Sequence, residues 1–160
     1  PKNNEARKIG LEMINKYVCE RLAVAVKLLK SYGRFIEAAE SLIRLRAMGL
    51  QDPQFIKIQE NELLPLAGVQ AISKIVESTP SINHIIFCST DSPISTQYVI
   101  EKTQIESISS IIEFKHMGMV ENKDNAYVIL GNSVDTDHME DLGFIKNQMM
   151  TEAEIMKIYE

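Results

Sequence analysis

The chain has 160 residues, of which 45% are hydrophobic and 24% charged, and its formal net charge is −5. That balance excludes a disordered or collagen-like chain and fits one globular domain, or one domain with a helical extension. Two cysteines exclude a disulfide framework, and no run approaches the roughly 18 apolar residues that a membrane span needs. The opening, Pro1-Lys2-Asn3-Asn4-Glu5, is polar and lacks a signal-peptide pattern. The expectation is a cytoplasmic protein in a reducing compartment, with no membrane contact.

The charge is unevenly spread. Residues 1–50 carry ten Lys or Arg against five Asp or Glu, whereas residues 51–160 carry seven against seventeen. A basic first segment of this kind suits an acidic partner, or simply the acidic remainder of its own chain.

In chain order, Asn4 to Lys30 gives the strongest helical pattern. Leu11, Ile14, Val18, Leu22, Ala25 and Leu29 recur at steps of three or four, which predicts an inward stripe. Ser31-Tyr32-Gly33 breaks it. Arg34 to Met48 is a second helix with Phe35, Ala39, Leu42 and Ile43 inward and Gly49 as its stop. So short a turn predicts an antiparallel pair. Asp52-Pro53 opens a third helix, with Asp as cap and Pro at the first position. Pro65 is expected to end it, because proline removes an N–H and disfavours helical geometry at Leu64. A fourth helix is then expected from Pro65 to Glu77.

Ile82–Cys88 is an apolar, β-prone run, followed by a hydroxyl-rich loop and a helix from about Ser95. A second strand is placed over about Ile111–Val120. A polar turn at residues 121–125 and a third strand, Ala126–Leu130, running back antiparallel to the second, come next. Asp137 is expected to cap a helix over His138–Met149. Thr151 and Glu154 have capping-box spacing for a last short helix.

The fold class expected is therefore α+β. An antiparallel helix pair with shorter helices would fill residues 1–80, and a small β-α-β-β-α sandwich-like half residues 81–160, as two subdomains or one compact domain. That element order resembles part of a ferredoxin-like or small regulatory α/β sandwich.

The chemistry is sparse. Ser89, Thr90, Asp91, Ser92 and Ser95 form a strand-to-helix loop of the sort that holds anions with hydroxyls and backbone N–H groups. The same residues also make an ordinary turn. No P-loop and no G-x-G-x-x-G accompanies them. Cys88 has no neighbouring Lys or Arg to lower its pKa, and His84 lies about 13 Å from it along a strand, which reads as a structural thiol. Asp135, Asp137 and His138 are the nearest approach to a metal set. Acidic residues at a helix start, however, already complement the dipole without a metal. No cofactor and no catalytic residue is assigned, which weighs against an enzyme.

The basic residues Lys16, Lys27, Lys30, Arg34, Arg44 and Arg46 are candidates for a partner-binding face on the first two helices. The leading expectation is a non-enzymatic interaction, regulatory or assembly domain using that amphipathic surface, with a protein partner or self-association. Two alternatives stand beside it: a phosphate- or nucleotide-binding domain centred on residues 89–95, and a nucleic-acid-binding domain.

Overall fold

The computed structural model describes residues 2–89 and 95–159. Their helices are α1 (Lys2–Ser31), α2 (Phe35–Met48), α3 (Pro53–Ser78), α4 (Thr96–Thr103), α5 (Thr136–Asp141) and α6 (Glu152–Lys157). Their strands are β1 (His84–Ser89), β2 (Ser109–Glu113), β3 (Ala126–Leu130) and β4 (Met149–Thr151). The chain divides into two compact units. Residues up to 67, with Tyr159, form the first, and residues 68–158 form the second.

In the first unit α1 and α2 pack on each other. The turn between them is closed by Gly33 in the left-handed region (φ 73) and by the Arg34 N–H donating to the Leu29 carbonyl at 2.9 Å. Helix α2 buries Phe35, Ala38, Ala39, Leu42 and Leu45. Among the described residues of α1, Cys19 and Val26 are buried. The expected inward stripe of α1 holds only in its second half, where Leu22, Ala25 and Leu29 are half-buried, whereas Leu11, Ile14 and Val18 are exposed. Gly49 ends α2 in the left-handed region (φ 67), as its position predicts.

Asp52 caps α3 by accepting the Gln54 N–H at 3.0 Å. The expected break at Pro65 does not occur, and α3 is one helix of 26 residues. A proline inside a helix costs about 3 kcal/mol. Every residue from 63 to 69 is buried, and burial of Leu63, Leu64, Leu66 and Val69 offsets that cost at about 1.5–3 kcal/mol each.

The second unit is built on a four-stranded sheet in the order β2-β1-β3-β4, and every pairing is parallel. This corrects the expected antiparallel sandwich: the fold is α/β, with a helical N-terminal half followed by a parallel sheet with helices. The expected hairpin between the second and third strands is a crossover. Strand β2 ends at Glu113, 3-10 turns occupy Phe114–Met119 and Lys123–Asn125, and β3 then enters on the far side of β1. The expected helix over 138–149 is also shorter. It stops at Asp141, Gly143 turns the chain at φ 102, Lys146–Gln148 form a 3-10 turn, and β4 begins at Met149. The Gln148 side-chain amide donates to the carbonyls of Asp124 (2.8 Å) and Ala126 (3.0 Å), which holds the β4 approach against the start of β3.

Parallel strands covered on both faces are apolar without alternation. The runs His84-Ile85-Ile86-Phe87-Cys88 and Ala126-Tyr127-Val128-Ile129-Leu130 have that character, and every residue of β3 is buried. On one face Ile86, Cys88, Val128, Leu130 and Met149 form a cluster with Met117, Val134, Met139 and Phe144. Ile85, Phe87, Tyr127 and Ile129 point to the other face and are equally buried. Parallel crossovers are right-handed almost without exception. The β1-to-β2 connection travels one way across the sheet, and the connections to β3 and β4 travel the other way. They must therefore cover opposite faces. Met117 from the second connection and Met139 from the third share one cluster, as that rule requires.

Helix α3 approaches α6 closely within this unit. A side chain at Gly68 would run into the Ile155 side chain, and the Ile155 carbonyl would lie only 3.3 Å from its Cβ. The capping box predicted for α6 is present: Thr151 Oγ1 accepts the Glu154 N–H at 3.1 Å, and the Glu154 carboxylate accepts the Thr151 N–H at 3.3 Å.

Candidate functional site

Two places in the molecule have features that the core does not need. The first is the carboxyl edge of the sheet. From β1 the chain leaves toward β2, and from β3 it leaves toward β4 on the opposite side. The crevice between β1 and β3 is thus the topological switch point, where open parallel sheets hold their ligands.

Thr90, Asp91 and Ser92 lie outside the described residues. Ser89 closes β1. Ser95 occupies the cap position of α4 with extended backbone (φ −71, ψ 92), and its hydroxyl makes no capping bond. Its carbonyl accepts the Val99 N–H at 3.0 Å.

At this edge of the sheet, a cleft of about 230 Å³ is lined by Phe114, Ser133, Val134, Asp135 and His138. Phe114 follows β2, Ser133–Asp135 follow β3, and His138 sits in α5. The Phe114 and His138 rings meet edge to face, with centroids 5.2 Å apart and planes at 63°. One Asp135 carboxylate oxygen accepts the Asp137 N–H at 3.0 Å and so caps α5. Among the described residues, no group of three or more His, Cys, Asp or Glu is placed to hold a metal ion. Asp137 and His138 lie in the first turn of a short helix, and Asp135 is engaged as its cap.

Cys88 lies within the sheet below this edge. Burial pushes its thiol up to about 11, so it is not an available nucleophile near neutral pH. His84, at the opposite end of β1, lies 2.7 Å by Nε2 from Ser110 Oγ. Burial lowers its pKa.

The second place is α1. Residues 3–18 include no buried residue, and Ile9, Leu11, Met13, Ile14, Tyr17 and Val18 are each 40% to 68% exposed. Further along, Val24 and Leu28 are each 51% exposed. At 3.6 residues per turn, Met13, Tyr17, Val24 and Leu28 fall on one line about 22 Å long, on the side opposite Cys19 and Val26. Arg21 and Lys27 border this line on its two sides. No helix of the described residues is long and apolar enough to cross a membrane.

The six basic residues expected to form one face divide in the structure. Lys30 pairs with Glu62, Arg34 with Glu37, and Arg46 with Glu60 at 3.1 Å. Lys16, Lys27 and Arg44 are exposed.

Comparison of the chain with protein-family models, curated proteins and solved structures finds no match. The sequence reading missed the roles of Phe114, Ser133 and Val134, which come together only through the strand order. It also joined Leu11, Ile14 and Val18, which are exposed, in one stripe with the half-buried Leu22, Ala25 and Leu29. The signal available was a helix of 30 residues with apolar side chains spread around most of its circumference.

Proposed function

We propose that the chain is a non-enzymatic interaction module whose helix α1 docks an acidic amphipathic helix of a partner protein. One observation carries this reading: α1 holds six large apolar side chains in the open between Ile9 and Val18. Large apolar side chains exposed together in this number mark a protein contact. A helix segment of that length without a packing partner is also marginal by itself. Docking a second helix along it supplies the missing burial.

Charge selects the partner. Helix α1 carries seven Lys or Arg against three Glu, so two copies of it repel and an acidic helix is attracted. Half of the basic residues considered for nucleic acid already have carboxylate partners, which favours protein over nucleic acid.

The test uses two synthetic helices with the same leucine seam, one flanked by Glu and one by Lys. The acidic peptide is expected to bind, more weakly as salt rises, and the basic peptide is not. Replacing both Met13 and Tyr17 by Glu should weaken binding at least tenfold while circular dichroism stays unchanged. Equal binding of the two peptides, or an unaffected double variant, would overturn the reading. Sedimentation at low salt would expose self-association, which would put a second copy in place of the acidic helix.

A further inference from the structure

We infer that the cleft at the carboxyl edge of the sheet is a binding site for one flat heteroaromatic base presenting an N–H donor, as in a nucleoside. This is independent of α1 and concerns a different unit of the chain.

Three observations converge on it. The cleft lies at the carboxyl edge of the sheet, with walls from the segments after β2 and after β3, which cover the same face. Its volume, about 230 Å³, falls below the 300–1,000 Å³ typical of drug-sized sites. It therefore suits a single ring system and excludes a dinucleotide.

The lining sets the chemistry. Phe114 and His138 already make an aromatic edge-to-face pair at 5.2 Å, and a third flat ring extends such a pair by stacking. Asp135 spends one carboxylate oxygen on the α5 cap. Its other oxygen has no partner among the described residues and is an acceptor only, so it selects a ligand N–H.

The surrounding charge argues against a phosphate. Asp137, Glu140 and Asp141 share α5 with the cleft wall, and Glu113 immediately precedes Phe114. Lys115 pairs with Glu113 at 3.2 Å and Lys146 with Glu140 at 3.8 Å, which leaves Asp135, Asp137 and Asp141 as the carboxylates with no ion pair among the described residues. A neutral base is accepted at such a rim, and a dianionic phosphate is repelled.

The probes are adenosine, guanosine, cytidine and adenosine 5′-monophosphate, followed by amide chemical shifts of the whole chain. At least one nucleoside is expected to shift the resonances of Val134 to His138, and adenosine is expected to bind more tightly than its monophosphate. Asp135→Asn keeps a good helix cap but loses the carboxylate, and it should weaken binding about tenfold, as loss of one charge-assisted hydrogen bond does. Phe114→Leu keeps an apolar group against the core and should abolish the nucleoside-dependent shifts. The inference is overturned if no nucleoside shifts these residues, if the monophosphate binds more tightly than adenosine, or if both variants bind as the parent does.

Discussion

Strand β3 and the first half of α1 are both rich in large apolar side chains, and they meet opposite fates. Every residue from Ala126 to Leu130 is buried. No residue from 3 to 18 is. The difference lies in what each backbone offers its neighbours. A strand in the middle of a parallel sheet is hydrogen-bonded on both sides and covered on both faces, so it is enclosed whatever its pattern. A helix satisfies its own backbone bonds and is buried only where another element comes against it. In α1 that happens only along the α2-facing side of its second half. Apolar content thus marks core in one case and an unfilled contact surface in the other.

Side-chain truncation is the strongest way to break this comparison. Leu130→Ala removes a fully buried leucine from the sheet and should cost about 2–5 kcal/mol in urea unfolding. Met13→Ala, at a side chain 68% exposed, should stay within about 0.5 kcal/mol. A loss at Met13 matching that at Leu130 would mean that α1 is already packed in solution.

A smaller contrast lies in the glycines. Gly68→Ala drives a methyl into the Ile155 side chain and should cost about 1–3 kcal/mol as overpacking. Gly10 has nothing within 4 Å of an added Cβ and sits inside a helix. Gly10→Ala should therefore raise stability by about 1 kcal/mol through helix propensity. Opposite signs of the two thermal-melt shifts are the expected result.

The smallest effect concerns pH. Burial lowers the His84 pKa below its ordinary 6.5. The unfolded chain therefore binds that proton more readily than the folded one. This histidine's contribution is intact above the unfolded value and is lost as pH falls from about 6.5 toward the folded value. Urea midpoints should decline across that window, and His84→Gln should flatten the decline.

The sequence was legible where a local rule had no competitor. The bounds of β3, the Asp52 cap, the Gly49 stop and the Thr151–Glu154 capping box all follow from the residues at those positions. Strand direction was not, because twelve residues separate β2 from β3 and such a segment reads equally as strand and turn or as a crossover. Pro65 misled because the cost of a helical proline is local, whereas the burial that offsets it comes from the tertiary fold. Asp135 and His138 stood out as polar residues near a helix start. Phe114 joined them only because β1 lies between β2 and β3. Four-residue spacing identified an apolar face on α1 but did not say whether anything covers it.

The position of β1 in the sheet bears on how the protein is made. Both strands that flank it, β2 and β3, come later in the chain. During synthesis the run Ile85–Cys88 leaves the ribosome first and waits, with both backbone edges unpaired, until Ser109 and then Ala126 are available to register against it. The apolar run of β1 is therefore the one longest without neighbours, which exposes it to chaperone capture or intermolecular pairing on the nascent chain.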